Sequence, residues 1–199
     1  QMINMGKASN VKIINSYIHD ARNAGIVFWT EESPIAITYP NILITGCRIE
    51  NTDLDAIFIS ARKAVIANNF IKGVGDSGIV VSWGSDTIVV ANNVIEDVYA
   101  YGIAIAGGAK NVSVVGNTIK GWKSGSTMPW GISVVSDDVS VRKCVNVAIV
   151  GNTLIDVYRI GIQSQQHNEN VVILGNVIKY MSSPSEALAR GIWIAANNI

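Results

Sequence analysis

A nine-residue motif recurs along this chain, and no other feature constrains its fold as much. Asn111-Val-Ser-Val-Val-Gly-Asn-Thr-Ile119, Asn146-Val-Ala-Ile-Val-Gly-Asn-Thr-Leu154 and Asn170-Val-Val-Ile-Leu-Gly-Asn-Val-Ile178 share one frame. Weaker copies begin at Asn10, Asn41, Ala64 and Thr87. Each is followed by a second strand signal, at Gly25-Ile26, Ala56-Ile57, Gly78-Ile79, Gly102-Ile103, Gly131-Ile132, Gly161-Ile162 and Gly191-Ile192. Aligning the Asn-like column gives Ser16, Cys47, Asn69, Asn93, Asn117, Asn152 and Asn176, in steps of 31, 22, 24, 24, 35 and 24 residues. From that column to the second signal is nine residues in five copies, fourteen in the fifth and fifteen in the seventh. The unit is therefore about 22–24 residues with the excess in a few loops, the mark of a solenoid.

The segments alternate, as in Val147-x-Ile149 and Ile103-x-Ile105, which is a strand period and not a helical one. Leucine-rich repeats of similar length need a leucine lattice that this chain lacks. The Gly or Asn before the aligned Asn suits a left-handed turn. Identical residues on successive coils lie about 4.8 Å apart, so the Asn column is predicted to stack and hydrogen-bond along itself as an Asn ladder does. The spacing predicts an all-β parallel solenoid of about seven coils in a single domain, 1–199. Composition agrees: Ile and Val abound, and only 15% of residues are charged, below the usual ~25%.

Charge also narrows function. Fifteen basic and fifteen acidic residues cancel, so no general field exists to hold nucleic acid, and no nucleic-acid partner is expected. No uninterrupted apolar run approaches the ~20 residues of a helical bilayer span, so no membrane insertion is expected. No signal peptide is visible after Gln1. The last copy stops at Ala195-Ala-Asn-Asn-Ile199 without a polar cap, and exposed solenoid ends lead us to expect further coils or a cap in a longer parent protein.

The pattern from about residue 8 to 195 resembles the right-handed parallel β-helix of the pectin-lyase-like superfamily. That resemblance implies a polysaccharide partner, polysaccharide lyase or glycoside hydrolase activity or a tail-spike role, and an extracellular or virion-surface location. A tail-spike module would be expected to form a homotrimer.

Several signals look chemical. Gly73-Val-Gly-Asp-Ser-Gly78 matches a dinucleotide fingerprint in letters but leads into a strand, not a helix, and reads as a turn. Cys47 and Cys144 fall four coils, about 19 Å, apart, beyond disulfide reach; both are expected to be small buried thiols. His19 and His167 fall on distant coils and are expected as surface turn residues, with no shared metal or dyad. Asp53, Asp55 and Asp76 are predicted to crowd one turn on adjacent coils, with carboxylates ~5–9 Å apart, a range that serves glycoside acid/base pairs. Close like charges also raise one pKa. The same cluster is a candidate calcium site, and Asp is equally common as a plain turn residue. Tyr99, Tyr101, Trp122, Trp130, Tyr158 and Tyr180 gather on the same ridge, with Arg159 and Arg190 placed to engage carboxylates. These rings suit sugar stacking or the anchoring of loops. Inserted segments 120–130 and 179–190 enter at this ridge to wall a groove; a third, 30–39, leaves after coil one.

Asn51-Thr-Asp53, then Gly75-Asp76 a coil later, is similar to the start of the polygalacturonase-type glycoside hydrolase pattern. The resemblance implies catalytic roles for Asp53 and Asp76. In this chain Ser77 replaces the second Asp of that pattern, Ala100-Tyr-Gly102 replaces its Gly-His-Gly, and Gly131-Ile-Ser133 has no Arg-x-Lys. The arginine motifs of pectate lyases and the Asp-Pro-His of the epimerases are also missing. Two functions are carried forward: an enzyme that binds and cleaves an extended, perhaps acidic, polysaccharide through Asp53, Asp55 and Asp76, and a non-catalytic shaft or adhesin module.

Overall fold

The computed structural model describes residues 3–4, 8–29, 39–123, 130–136, 142–180 and 190–195. They form three parallel sheets wound by one chain. Sheet 1 holds Lys12–Ile14, Tyr39–Thr45, Ala61–Ala67, Asp86–Ala91, Lys110–Val115, Val145–Val150 and Glu169–Leu174. Sheet 2 holds Tyr17–Ala21, Arg48–Thr52, Phe70–Val74, Val94–Val98, Thr118–Trp122, Thr153–Val157 and Val177–Tyr180. Sheet 3 begins with Ile3–Asn4 and continues through Ile26–Phe28, Ile57–Ile59, Ile79–Val81, Tyr101–Ile105, Trp130–Val134, Ile160–Ser164 and Arg190–Ile194. Every pairing is with the coil before or after, in parallel register. The result is a right-handed parallel β-helix of seven coils. Each coil carries three strands where the sequence signals two, because the Gly-Asn pair breaks the nine-residue motif into separate strands.

The interior is built of stacked columns. Ile49, Ile71, Ile95, Ile119 and Leu154 stack from sheet 2, and Ile26, Ile57, Ile79, Ile103, Ile132 and Ile162 from sheet 3. All are buried. Burial of each such side chain contributes roughly 1.5–3 kcal/mol, and the period holds the register because a one-residue slip would turn the column outward.

The corner between sheets 1 and 2 carries the Asn ladder. Residues 15, 46, 68, 92, 116, 151 and 175 all have φ between 50° and 67°, and all are Asn or Gly, the residues that enter this region at least cost. Behind them, Oδ1 of Asn117 accepts from both the backbone N–H and Nδ2 of Asn93, each at 2.9 Å. The Asn117 Nδ2 donates to Val90 O at 3.0 Å and to Asn152 Oδ1 at 3.0 Å. The pattern repeats through Asn69, Asn93, Asn152 and Asn176. Cys47 replaces Asn in the column and donates its backbone N–H to Asn69 Oδ1 at 2.9 Å. Both cysteines are buried thiols, as expected.

Candidate functional site

The corner between sheets 2 and 3 is built differently. Sheet 2 strands contain a left-handed residue next to their inner end: Asp20, Asn51, Gly73, Asp97, Gly121 and Asp156, with φ of 52–72°. Two neighbours in a row then face outward, and the chain re-enters the core at Thr52, Val74 or Val98, all buried. The Asn of Asn51-Thr-Asp53 therefore has a backbone reason shared with five other coils. Gly73 occupies the same place, so the 73–78 glycines belong to a strand and turn, as predicted.

Past this point, coils two and three run in close contact. Gly75 N–H donates to Thr52 O at 2.7 Å, and a Cβ on Gly75 would lie 2.1 Å from Asp53 O. Only glycine lets the coil-three turn pass over coil two so closely. That approach sets Ser77 beside Asp55. The Ser77 N–H donates to Asp55 Oδ1 at 3.1 Å and its hydroxyl to Asp76 Oδ1 at 3.1 Å, so one buried serine bridges two carboxylates. Burial first, and the Asp76 charge second, push the partly buried Asp55 carboxyl from 3.8 up to about 7, against the Ser77 hydrogen bonds. An unpaired carboxylate loses solvation here and faces a like charge, both of which favour the protonated acid. Ser77, which stands where the resembled pattern has Asp, is the residue that sequence reasoning left unused. The signal was present, since Ser77 lies one coil of 22 residues beyond Asp55.

Asp53 stands apart from this pair, with its side chain exposed and its N–H donated to Ala21 O at 2.9 Å. Among the described residues no three His, Cys, Asp or Glu side chains gather as a metal-binding group. The histidines are as far apart as expected. His167 is a left-handed turn residue, φ 68°, but His19 lies within a sheet 2 strand, where it stacks on Tyr17 and bonds Asp20 at 2.9 Å.

The ridge continues through coils four to seven. Backbone hydrogen bonds place Asp55, Ser77 and Tyr101 in one row, and the sheet 3 register extends it through Trp130, Ile160 and Arg190. The Tyr101 and Trp130 rings meet at 5.1 Å, tilted by 59°, and the Arg159 guanidinium lies 5.9 Å from the Trp130 ring. Tyr99 on coil four and Tyr158 on coil six are exposed at equivalent turns. The exposed Arg190 stacks on Trp193 at 5.4 Å instead of projecting freely. Buried Trp122 Nε1, Trp130 Nε1, Tyr180 OH and Gln163 Oε1 have no hydrogen-bond partner. Gln163 and Ser133 are fully buried on the outward side of sheet 3 and bonded to each other at 2.5 Å. Of the expected groove walls, residues 124–129 and 181–189, like 30–38 of the third insertion, lie outside the described residues.

Comparisons with known proteins follow this geometry. A family model described as a right-handed β-helix region matches residues 29–138. The catalytic unit of a thermostable α-1,3-glucanase from Streptomyces thermodiastaticus is similar at 16% identity and TM-score 0.57, over 94% of this chain and 43% of that one. The A-module of a mannuronan C-5 epimerase from Azotobacter vinelandii matches at 17% identity and TM-score 0.52, over 92% of this chain and 58% of that one. A surface adhesin of Streptococcus pneumoniae matches at 12% identity and TM-score 0.55, over 87% of this chain and 60% of that one. At these identities the likeness is one of fold, and this chain spans about half the length of the structures it matches. No curated protein matches in sequence. The repeat, the three parallel sheets and the family match over more than half its length agree, and the chain belongs to the right-handed β-helix family.

Proposed function

We propose that this protein is a carbohydrate-active β-helix that binds an extended polysaccharide along the ridge between sheets 2 and 3 and cleaves it at Asp55 and Asp76. The carrying observation is the Ser77-bridged pair: a carboxyl raised to about 7 beside a second carboxylate. Asp55 is the proton donor, poised near neutrality as a general acid should be; Asp76 is the base or nucleophile, and Asp53, two residues before Asp55, is exposed. Tyr99, Tyr101, Trp130 and Tyr158 supply apolar sugar platforms, while Arg159 and Arg190 engage carboxylates on an acidic chain. The similar glucanase and epimerase support this reading, as does an extracellular setting for the adhesin-like fold.

A reducing-end assay over a panel of acidic and neutral polysaccharides tests it. Asp55→Asn and Asp76→Asn should each lower cleavage by at least ~100-fold with the fold retained, and the wild-type rate should fall above about pH 7, where Asp55 loses its proton. No cleavage of any panel member by the wild type overturns the enzyme. The second reading, a non-catalytic receptor-binding module of an adhesin or a trimeric tail spike, is favoured by one observation. Tyr101 occupies the coil where the resembled hydrolases place histidine.

A further inference from the structure

The third corner, where sheet 3 passes into sheet 1, holds a cavity of about 390 Å³ lined by Arg62, Trp83, Asp86, Lys110, Arg142 and Lys143, with glycines at its turns. We infer that this cavity is a second binding site, separate from the ridge, for an anionic saccharide: a sugar that carries a carboxylate or a sulfate.

Sheet 1 register assembles the charge. Arg62, Asp86 and Lys110 are direct neighbours on coils three, four and five, each 24 residues from the next. Asp86 is committed within the protein: its Oδ1 accepts from Asn111 Nδ2 at 2.7 Å and from the Thr87 hydroxyl at 3.1 Å. The Asn111 hydrogen bond, with help from Thr87, Arg62 and Lys110, holds the Asp86 carboxyl below its ordinary range, so it is fully ionised at neutral pH. Lys143 is paired with Glu169. Against those two carboxylates stand four cations, and Arg62, Lys110 and Arg142 have no ion-pair partner among the described residues. Among the described residues this is a local surplus of two positive charges in a chain of zero net charge, and lining a concave surface it concentrates the field on an anion.

Shape points to a sugar. Trp83 adopts φ 54° at the turn and presents a half-buried indole whose ring the Arg142 guanidinium approaches at 5.3 Å. A Cβ on Gly84 would meet nothing within 4 Å, and one on Gly108 would face only Arg142, at 3.5 Å or more. The Gly84 and Gly108 positions are thus bare, while Gly107 packs against the Trp83 backbone, leaving room for a flat ring at the indole edge with arginine and lysine donors around it. The volume lies at the small end of small-molecule sites. A phosphodiester chain, by contrast, is held by many successive cations, and this cluster has three that are uncommitted.

Calorimetric titration of the full chain tests the assignment, with trigalacturonate, a sulfated disaccharide, inorganic sulfate and uncharged maltotriose as probes. At least one anionic sugar should bind, and the carboxylate and sulfate arms decide which substituent is preferred. Lys110→Gln and Arg142→Gln, whose folding is checked by thermal melting, should each weaken binding by about tenfold, and roughly 0.5 M salt should do the same by screening. Lys12→Gln, an exposed lysine of sheet 1 on coil one, should leave this affinity unchanged. Four results overturn the inference: no heat from either anionic sugar at about millimolar concentration, equal binding of maltotriose, equal binding of inorganic sulfate alone, or a loss caused by Lys12→Gln but not by the Lys110 and Arg142 variants. Because the ridge variants and the corner variants differ, failure here leaves the proposed cleavage site untouched, and the reverse also holds.

Discussion

Two corners of the same coil treat buried polarity in opposite ways. Between sheets 1 and 2, every ladder amide from Asn93 to Asn152 is saturated: its oxygen accepts twice from the preceding coil's Asn and its nitrogen donates to a carbonyl and to the next Asn, while Asn69 accepts only the backbone N–H of Cys47 in coil two. Between sheets 2 and 3, two carboxylates share a serine, donors on Trp122, Trp130 and Tyr180 are left over, and the insertions enter. Both corners sit on the same scaffold and obey the same period, so the scaffold does not explain the difference. A buried polar atom with its partners in place stabilises a structure; one without partners costs stability until a ligand supplies them. The first corner satisfies its buried polar groups and holds the solenoid, and the second leaves a like-charged carboxyl pair and unpartnered donors at a cost in stability.

The comparison breaks most sharply at the ladder. Asn117→Leu keeps the volume and removes five side-chain hydrogen bonds, two accepted from Asn93 and three donated to Val90 O, Val115 O and Asn152 Oδ1. Buried groups on the coils above and below then lose their partners, at roughly 1–3 kcal/mol each, so a loss of about 3–5 kcal/mol is expected. Urea unfolding measures it. A variant within 1 kcal/mol of wild type, on the scale of about one exposed hydrogen bond, would show that the ladder decorates the corner instead of holding it.

The opposite sign is expected at the ridge. Asp55 has a folded value of about 7 against 3.8 for the free carboxyl, so between those two pH values the folded state binds the proton that the unfolded state has released. Stability from this group is therefore fully present below about pH 4, falls as pH rises, and reaches its minimum above about pH 7. The shift caps the loss at about 4 kcal/mol, and solvent reaching a partly exposed carboxylate brings the expected figure to about 2 kcal/mol. Asp55→Asn keeps the oxygen that accepts from Ser77 and removes the charge. At pH 8 it should be more stable than wild type by about 2 kcal/mol, and at pH 4 the two should coincide. Melting curves at both pH values decide it, and equal destabilisation at both would mean that Asp55 is an ordinary turn cap.

How much of this the sequence disclosed depended on whether register alone was needed. The seven coils, the ladder from Asn69 to Asn176 and the left-handed residue before each Asn follow from one period, because a stacked column repeats one environment. The position of Asp55 and Asp76 followed for the same reason. What escaped was local. Nothing in Asp53-Leu-Asp55 says which aspartate faces solvent; the left-handed φ at Asn51 decides that by turning Thr52 inward. Ser77 was visible only as a departure from a resembled pattern, although hydroxyl and amide make it the bridge. The basic cavity was legible in principle, since Arg62, Asp86 and Lys110 lie one period apart, yet Trp83 and Arg142 meet across an insertion that shifts the count. Periodicity transmits stacking, and it carries no information about contacts made by chain outside the repeat.

The smallest effect is expected where the ladder corner already uses two residue types for one job. Gly151 has φ 64°, and a Cβ there would meet nothing within 4 Å, so the glycine serves backbone conformation and not space. Asn15, Asn68 and Asn92 hold the equivalent place with φ of 50–57°, since Asn tolerates the left-handed region better than other side chains. Gly151→Asn should therefore change stability by less than about 0.5 kcal/mol, because lost unfolded-state freedom offsets the small strain. Gly151→Ala, with no side-chain amide to ease the conformation, should cost about 1 kcal/mol. The contrast is with Gly131 at the ridge, where an added Cβ would lie 2.4 Å from Gly161 O and 2.2 Å from Leu154 Cδ2. There the absence of a side chain is what lets successive coils close, and no residue that tolerates positive φ can stand in for it. Chemical denaturation of the two Gly151 variants separates the reasons: if Asn proved as costly as Ala, the corner would require glycine for packing after all, and its likeness to the Asn-bearing coils would be one of letters alone.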